Sequence, residues 1–247
     1  MKEIFRKILL TVCVCVFLYS AFQLGCIFYE YYKIEKQSDN LVEQFVEQPD
    51  ENQVIEAVND AEFRKIDFES LLKTNSDVIG WIYIPNTKVD DPVLKGENND
   101  TYIRTGIDKQ PNHGGCIFVD EVNNGDFQDQ NTILYGHRLR NGLRFNNIAN
   151  YRDQQFFEEH PYVYIYLPDG SINVYKVYAI CKINAYSTLY AKDINYQKYT
   201  QTILKNAIQK CEISDEEAPL IMLSTCVNAT GDDRFIVSAR LEKQIQR

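Results

Sequence analysis

Residues 219–241, PLIMLSTCVNATGDDRFIVSARL, contain two apolar segments separated by a polar loop. The first segment ends at Cys226, and the second begins after Arg234, eight positions later. Short apolar runs bounded by Asn, Gly and Asp predict a strand, a loop and a second strand. Two neighbouring strands would hold the thiol and the guanidinium close together, where both could act on one carbonyl group.

The composition of the 247-residue chain is that of a globular protein, with 45% hydrophobic, 13% aromatic and 25% charged residues. Its seventeen tyrosines are typical of a β-rich domain with many half-buried positions. The formal net charge of −9 argues against general nucleic-acid binding, because such binding needs a basic face to neutralise phosphates. We therefore expect no nucleic-acid partner.

An uncharged segment, ILLTVCVCVFLYSAFQLGCIFY, covers residues 8–29 and is long enough to cross a membrane as a helix. Lys2, Arg6 and Lys7 precede it, so the positive-inside tendency places residues 1–7 in the cytoplasm and the remaining chain outside. A cleaved signal peptide is the alternative. The segment is longer than a usual signal-peptide core, and no clear A-x-A site follows it, so we favour a retained anchor.

The seven cysteines divide between this segment and the rest of the chain. An exported domain could use the later cysteines for disulfides, but their spacing is wide and the domain is large enough to have its own core. We therefore favour free thiols. Neither the cysteines nor the three histidines show the spacing of zinc ligands. The four cysteines beyond the uncharged segment are Cys116, Cys181, Cys211 and Cys226.

Helical periodicity extends over residues 38–75, where apolar residues recur at intervals of three and four. Pro49 is expected to divide one helix from the next. Phe68, Leu71 and Leu72 indicate a further short helix. This region is either a spacer or a helical cover on the main domain, and its apolar stripe favours packing. The expected divisions are residues 1–7, the anchor 8–29, helices in 30–65 and the main domain 66–247.

From residue 78 the periodicity is mainly that of strands, with about eight short strands and inserted helices. The Pro168-Asp169-Gly170 sequence is a hairpin turn signal within residues 162–183. The simplest interpretation is one mostly β domain with a β-barrel architecture. The remaining predicted strands are 78–85, 89–94, 114–120, 132–137 and the two within 219–241, and the predicted helices are 143–157 and 193–211.

His137 is the candidate base for the Cys226 thiol. It ends an apolar run after Gly136, and a histidine at a strand end is well placed to reach another strand end. A thiol of ordinary pKa is mostly protonated at neutral pH and needs a nearby histidine or cation. Judged alone, Cys226 is more often a buried structural cysteine. His113 and His160 lie in turn and loop sequences and are expected to be surface residues.

Three motifs carry a resemblance to a known family. LSTC followed by an arginine eight residues after the cysteine resembles the TLxTC…R signature of sortases, with Met222 in place of the usual threonine. LYGHRLRNGLRF at residues 134–145 resembles the segment around the sortase catalytic histidine. Residues 79–103 resemble the opening strands of class B sortases, and residues 114–120 resemble the next strand. The likeness covers about residues 66–243, and the predicted helix before the cysteine strand is similar to an extra class B helix.

The resemblance implies an eight-stranded sortase-type β-barrel with N-terminal helices and one transmembrane helix. It implies a cysteine transpeptidase that cleaves a C-terminal sorting motif of secreted proteins through a thioester and attaches them to a peptidoglycan amine. Matched residue by residue, Cys226 would be the nucleophile, His137 the general acid/base, and Arg234 the residue that holds substrate or stabilises the oxyanion. The enzyme would lie on the extracellular face of a Gram-positive type cell membrane.

Further site residues follow from the same resemblance. Asn99 matches an asparagine of the class B active site, and Ser224 and Thr225 beside the cysteine are expected to shape the substrate groove. No organic cofactor is required. Some sortases are assisted by calcium at acidic loops, but the pairs at residues 90–91 and 232–233 are short and expected to be solvated. We therefore expect no metal.

Two alternatives keep the same sequence features. One is a hydrolytic, membrane-anchored cysteine peptidase with the same site, in which water resolves the thioester instead of an amine. The other is a membrane-tethered binding module without catalytic activity, in which Cys226 is an inert packing residue.

Overall fold

The computed structural model describes residues 2–47, 60–228 and 230–247. The expected break at Pro49 and the apolar pattern of residues 54–58 lie outside these residues. The helices are α1 (Lys2–Phe45), α2 (Phe68–Thr74), α3 (Gln154–Glu159) and α4 (Tyr196–Asn206), with short 3-10 helices at Asp60–Glu62 and Asn147–Arg152. The strands are β1 (Val46–Glu47), β2 (Lys65–Ile66), β3 (Val78–Tyr83), β4 (Asp90–Leu94), β5 (Ile117–Val119), β6 (Asn131–Tyr135), β7 (Tyr162–Tyr166), β8 (Ile172–Asn184), β9 (Ala207–Lys210), β10 (Leu220–Cys226) and β11 (Asp233–Ile245).

Eight strands close into a barrel in the order β11-β10-β6-β5-β4-β3-β7-β8, because β11 pairs with both β10 and β8. Strand β9 adds to the outer edge of β8. The predicted mostly β barrel is confirmed. Most neighbours are antiparallel, but β4 is parallel to β5 and β6 is parallel to β10. The residues that follow β6 and β10 therefore leave the sheet at the same rim of the barrel.

Strand β10 shows why its sequence is an unbroken apolar run rather than an alternation. Ile221 and Leu223 belong to the main core cluster, whereas Leu220 and Met222 pack in a second cluster with residues of α4. Both faces of the strand are buried, so both need apolar side chains. Each such side chain contributes about 1.5–3 kcal/mol through burial. This double burial holds the strand that ends at Cys226.

The two predicted hairpins are confirmed. Strands β3 and β4 pair antiparallel around a turn in which Asn86 has φ +59°, and β7 and β8 pair around a turn in which Gly170 has φ +88°. Asparagine and glycine are the residues that adopt this left-handed conformation most readily. The turn residues thus fix the register of the four strands.

The helix predicted over residues 193–211 is wrong at its C-terminal end. Helix α4 stops at Asn206, and Ala207 is extended with φ −71° and ψ 140°. Residues Ala207–Lys210 form β9 and pair with the edge of β8. The helical spacing of Ala207 and Cys211 was therefore coincidental, because the open edge of β8 offered hydrogen bonds that helical continuation would have left unmade.

The helix predicted over residues 143–157 is wrong over residues 143–146, which form turns and a bridge from Arg144 to Arg138, and the remainder is divided. A 3-10 helix covers Asn147–Arg152, and α3 begins anew after Asp153. The Asp153 carboxylate accepts a hydrogen bond from the Phe156 N–H at 3.0 Å, as an N-cap residue does. An aspartate that caps the next helix cannot also continue the previous one.

Helix α1 is continuous through the predicted anchor and beyond it. It is long and apolar enough to cross a membrane, judged by length and composition. Its C-terminal part packs on the barrel, with Ile34, Ser38 and Phe45 buried. The Glu35 carboxylate lies 2.9 Å from Lys88 Nζ. Residues 38–45 are thus a packed helical cover, the predicted short helix at Phe68 is confirmed as α2, and β1 pairs with β2 between them.

Candidate active site

Cys226 and Arg234 lie directly opposite each other on β10 and β11. The loop between them is closed by a hydrogen bond from the Val227 N–H to the Asp233 carbonyl at 3.0 Å. Arg234 Nη1 donates to the carbonyls of Gly231 and Asp233 at 2.9 and 3.0 Å. The loop carbonyls therefore orient the guanidinium beside the thiol, as the predicted strand-loop-strand arrangement requires.

His137 reaches the same rim because β6 runs parallel to β10. Ser224 is the register partner of Tyr135, and the Gly136 N–H donates to the Ser224 carbonyl at 3.2 Å. The Thr225 hydroxyl donates to the Gly136 carbonyl at 2.7 Å. These bonds continue the pairing past the end of β6. Counted on from this register, His137 and Cys226 occupy neighbouring positions at the ends of two adjacent strands.

Gly136 is required by the packing beneath this loop. A Cβ at this position would lie 2.7 Å from the Phe145 ring. The Phe145 N–H in turn donates to the His137 carbonyl at 3.0 Å, which closes the loop between them. The fully buried Phe145 ring thus packs under the segment that presents His137.

The His137 ring is half-buried, and its Nε2 lies 2.6 Å from the Ile103 carbonyl oxygen. Burial lowers the pKa of His137, the Ile103 contact opposes this effect, and the cations Arg104 and Arg144 lower the pKa further. The neutral ring is therefore the predominant form at neutral pH. A neutral imidazole can accept a proton from a thiol.

A cavity of about 240 Å³ opens at this rim. It is lined by all six residues that the sequence singled out, together with aromatic side chains from neighbouring segments. The structure thus brings together residues that are separated by up to 135 positions in the chain, from 99 to 234. The six predicted residues in the cavity are Asn99, His137, Ser224, Thr225, Cys226 and Arg234.

Three of these six use their side chains partly to hold the cavity walls. The Asn99 side-chain carbonyl accepts a hydrogen bond from the Glu121 N–H at 2.9 Å. The Ser224 hydroxyl lies 2.8 Å from the Tyr190 hydroxyl. The Thr225 hydroxyl is buried against Gly136. Asn99 and Ser224 therefore line the cavity with side chains that are bonded to its walls, whereas the Thr225 hydroxyl is bonded to the backbone.

An aromatic wall of the cavity was not predicted. The rings of Phe118 and Tyr135 are 5.5 Å apart, and those of Tyr135 and Tyr190 are 6.0 Å apart. Burial raises the pKa of Tyr190, so its hydroxyl stays protonated and can donate. Tyr135 could have been found, because it precedes His137 by two positions on one strand face. Tyr190 lies in the loop of residues 186–190, which is expected from the family resemblance to line the groove, and the structure places Tyr190 in the cavity wall. The loop sequence has no periodicity that would indicate which of its side chains faces the cavity.

Arg138 was also missed. Its Nη1 donates to the Val227 carbonyl at 2.5 Å. The residue after His137 therefore contacts the residue after Cys226, across 89 positions of sequence. Nothing in the local pattern of a basic loop indicates this contact, because it depends on the closure of the barrel.

The other cysteines beyond the apolar helix are free thiols in other environments. Burial raises the pKa of both Cys116 and Cys181 to about 12. Cys211 is half-buried, and its sulfur lies 3.4 Å from the Val177 carbonyl.

Within the described ranges, no group of three or more His, Cys, Asp or Glu side chains is arranged to hold a metal ion. The expectation that the acidic pair at residues 90–91 is solvated is wrong, because Asp91 is buried in an ion pair with Arg144 and Asp90 pairs with Arg64.

Comparison with known proteins gives a consistent result. The sortase domain model matches residues 82–242. Sortase B of Staphylococcus aureus (strain NCTC 8325 / PS 47) is 30% identical over 182 residues, covering 71% of this chain and 75% of that protein. Sortase B of Listeria monocytogenes serovar 1/2a is 27% identical over 231 residues, covering 91% of each.

Solved structures agree with the sequence comparison. The crystal structure of sortase B from B. anthracis superposes with a TM-score of 0.69 at 25% identity, covering 89% of this chain and all of that one. The structure of Clostridium perfringens sortase B gives a TM-score of 0.66 at 27% identity, covering 72% and 100%. The barrel described above is therefore shared with these proteins along nearly the whole of their chains.

The chain belongs to the sortase family, whose members are cysteine transpeptidases. Within that family its relatives and structural neighbours are class B sortases, and this chain is one of them. The resemblance drawn from the three sequence motifs is confirmed. The alternative of a binding module without catalytic activity is set aside.

Proposed function

We propose that Cys226, His137 and Arg234 carry out the transpeptidation of this sortase. The observation that supports this assignment is the register of the barrel rim. Cys226 and Arg234 are opposite residues on two strands, and His137 lines the same cavity. A nucleophile, a proton carrier and a fixed cation are the groups that acyl transfer through a thioester requires.

The first half-reaction forms a thioester. Neutral His137 accepts the thiol proton of Cys226, and the thiolate attacks the carbonyl carbon of the scissile peptide bond in a sorting motif. The C–N bond of the tetrahedral intermediate then breaks. The His137 imidazolium gives its proton to the departing amine. The N-terminal fragment then remains attached to the Cys226 sulfur as a thioester.

The second half-reaction transfers the fragment. A peptidoglycan amine attacks the thioester carbonyl, His137 takes the proton from the attacking nitrogen, and the C–S bond breaks. The thiolate regains its proton from the imidazolium. An amide bond to the cell wall replaces the one that was cut, so no external energy source is needed.

Arg234 stabilises the charge that develops on the carbonyl oxygen or holds the motif. Its two contacts with loop carbonyls use Nη1, and a guanidinium has further donors on Nε and Nη2. Because the loop already orients the planar group, little reorganisation is needed as charge develops. The substrate-binding residues are then Asn99 and Ser224, with Thr225 shaping the groove from behind.

The location follows from α1 and its flanks. We infer that residues 8–29 anchor the enzyme in the cell membrane with residues 1–7 in the cytoplasm and the barrel on the extracellular face, as Lys2, Arg6 and Lys7 favour. The partners in that location are secreted proteins that carry a sorting motif. A structure of Staphylococcus aureus sortase B has been solved with its substrate.

A second acceptor class is an amine on a pilus subunit. One structural neighbour, with a TM-score of 0.66 and 28% identity, is a class B sortase of Streptococcus pyogenes involved in pilus biogenesis. The acceptor is therefore tested directly, with a peptidoglycan-derived amine and a lysine peptide supplied in parallel.

The test uses the full chain in detergent, a peptide library and mass spectrometry. We expect a thioester adduct on Cys226 with a subset of peptides, and a transfer product when an amine is added. Cleavage that yields only a free carboxylate, at the same rate with and without amine, would favour the hydrolytic peptidase. Adduct formation and cleavage that persist in Cys226→Ala would contradict the proposed assignment.

A further inference from the structure

The His137 ring makes a contact that the reaction above does not use. Its Nε2 lies 2.6 Å from the carbonyl oxygen of Ile103. A carbonyl oxygen can only accept a hydrogen bond, so the ring must donate from Nε2. In a neutral imidazole the other nitrogen, Nδ1, then carries no proton. This single contact selects one tautomer and leaves Nδ1 to exchange protons with the thiol and the amine.

The Ile103 carbonyl can occupy its position only because Gly115 has no side chain. Gly115 has φ +52°, and a Cβ built there would lie closer than 3.0 Å to the carbonyl oxygens of both Ile103 and Tyr102. Both obstacles are backbone atoms, which cannot turn aside as a flexible side chain can. Position 115 therefore requires glycine for two reasons, its left-handed backbone conformation and the lack of space for a Cβ.

Gly115 is held in place from its other side. Its carbonyl accepts a hydrogen bond from Arg144 Nε at 3.1 Å, and Arg144 forms a buried ion pair with Asp91. The N–H of the next residue, Cys116, donates to the Tyr102 carbonyl at 3.0 Å. Breaking one partner of a buried ion pair leaves an uncompensated charge, so this support resists displacement. The segment around Gly115 is thus fixed against the segment that carries Ile103.

We propose that the Ile103 carbonyl is the orienting partner of His137, and that Gly115 is a positioning residue that makes room for this carbonyl. The backbone thereby serves as the carboxylate does in a Ser-His-Asp triad, where it fixes the tautomer and the ring and stabilises the imidazolium. The inference rests on the proposed acid/base role of His137. Its geometry can nevertheless be tested without any turnover.

The first test reads the tautomer directly. The full chain, labelled with ¹⁵N at histidine and kept in detergent, is titrated by NMR, and the His137 signals are assigned by their loss in His137→Gln. We expect the Nε2–H tautomer above the pKa of the ring. A neutral ring protonated on Nδ1 would overturn the inference. That result would leave the proposed function intact if His137→Ala still abolished transfer.

The second test removes the space for the carbonyl. Gly115→Ala is compared with Gly170→Ala, whose φ is +88° and whose added Cβ would meet nothing within 4 Å. Both variants force alanine into a left-handed conformation, but only the first displaces the Ile103 carbonyl. Gly170→Ala therefore measures the backbone strain alone.

For Gly115→Ala we expect a loss in kcat/KM of about tenfold or more on a sorting peptide selected with the wild-type enzyme, part of what general acid–base catalysis supplies. We also expect the His137 pKa measured by NMR to fall, because the hydrogen bond that raised it is lost. Gly170→Ala should stay within about twofold of wild type. A folded Gly115→Ala with unchanged tautomer, pKa and kcat/KM would overturn the inference. If Gly115→Ala does not fold, the NMR measurement of the His137 tautomer in the wild-type protein decides whether the inference holds.

Discussion

Cys226 and Cys181 occupy nearly equivalent places on the two sides of β11, yet only one lies in a cavity. Cys226 pairs with Arg234, and Cys181 pairs with Ile236, two residues further along the same strand face. Helix α4 covers Cys181, whose sulfur lies 3.3 Å from the Ile203 carbonyl. The cover does not enclose Cys226, which is only half-buried. Position along one strand therefore separates a buried thiol from one that lines a cavity.

The comparison teaches that the exposure of each thiol is set by what packs on the sheet, since both cysteines lie on strands that pair with β11. One row of the sheet contains Ser224, Ile236 and Cys181, and the next contains Cys226 and Arg234. The first row lies mostly against apolar side chains and the second faces the rim. The experiments below ask how much of the difference depends on each neighbour.

The largest expected effect is the loss of the nucleophile. Cys226→Ala should lower the rate of transpeptidation by a factor on the order of 10⁶, since removal of a nucleophile leaves only binding and oxyanion stabilisation. Cys181→Ala is the matched control and should keep activity within about twofold while lowering stability by about 1 kcal/mol. Transfer of a labelled sorting peptide and denaturant unfolding measure the two. Equal losses of transpeptidation rate in Cys226→Ala and Cys181→Ala would contradict the assignment of Cys226 as the nucleophile.

Thiol alkylation sharpens the same comparison in the native protein. Burial raises the pKa of Cys181 to about 12, so its thiolate is rarer by a factor on the order of 10³ than that of an ordinary exposed cysteine. We expect a soluble alkylating reagent to modify Cys226 first, and a sorting peptide to protect it. Peptide mapping by mass spectrometry gives the rates. Labelling of Cys181 at a rate similar to Cys226 would contradict the assigned burial.

Different parts of the fold and of the active site could be predicted from the sequence to different degrees. The apolar runs, the hairpin turns and the family motifs were sufficient to predict the barrel and the common location of His137, Cys226 and Arg234, because each is recorded in local pattern or motif. The loop of residues 186–190 was expected at the groove, but the packing of its Tyr190 ring against Tyr135 and the Arg138 contact were not predicted, because both depend on distant segments meeting. Strand β9 was mistaken for helix, because its pairing with β8 overrode a short local periodicity.

Arg234 is the neighbour that Cys226 has and Cys181 lacks. Arg234→Ala should lower kcat/KM by at least about a hundredfold, as removal of an oxyanion donor does. Arg234→Lys should restore little, because a point charge does not replace a planar guanidinium held by two loop carbonyls. Arg240→Lys, on the same strand and bonded to Tyr196, is the control and should retain activity. Full activity in Arg234→Lys would show that a positive charge is sufficient at this position and that the planar guanidinium geometry is not needed.

Arg138 tests whether the spacing of the two loops matters. Arg138→Ala removes the bond to the Val227 carbonyl and should lower kcat/KM about tenfold, equivalent to about 1.4 kcal/mol and near the worth of one hydrogen bond from a charged donor. Arg140→Ala removes an exposed charge from the same loop and should change little. Steady-state kinetics of both variants at two salt concentrations separate positioning from charge. Equal losses would assign the effect to charge.

The smallest expected effect is on stability. The pKa of His137 is lower in the folded protein than its ordinary value, so the unfolded chain binds more protons between the two pKa values. The free energy of unfolding should therefore be highest above the ordinary pKa and fall as the pH is lowered towards the folded pKa. Denaturant unfolding across this range should show a shallower slope in His137→Gln than in the wild-type protein. An unaltered slope in His137→Gln would contradict the lowered pKa.

The continuity of α1 has a geometric consequence for the proposed membrane anchor. One helix includes the apolar segment and also packs against the barrel through Ile34 and Phe45, with Lys88 bonded to Glu35. A flexible tether would let the enzyme tumble and sample a hemisphere of directions. A rigid helix that is continuous from the apolar segment to the barrel leaves one main degree of freedom, which is rotation of the enzyme about the helix axis. With the apolar segment fixed in a bilayer, the distance of the cavity opening from the membrane and its tilt would be fixed as well. The sorting-motif substrate and the amine acceptor would then both have to approach the cavity from that one direction.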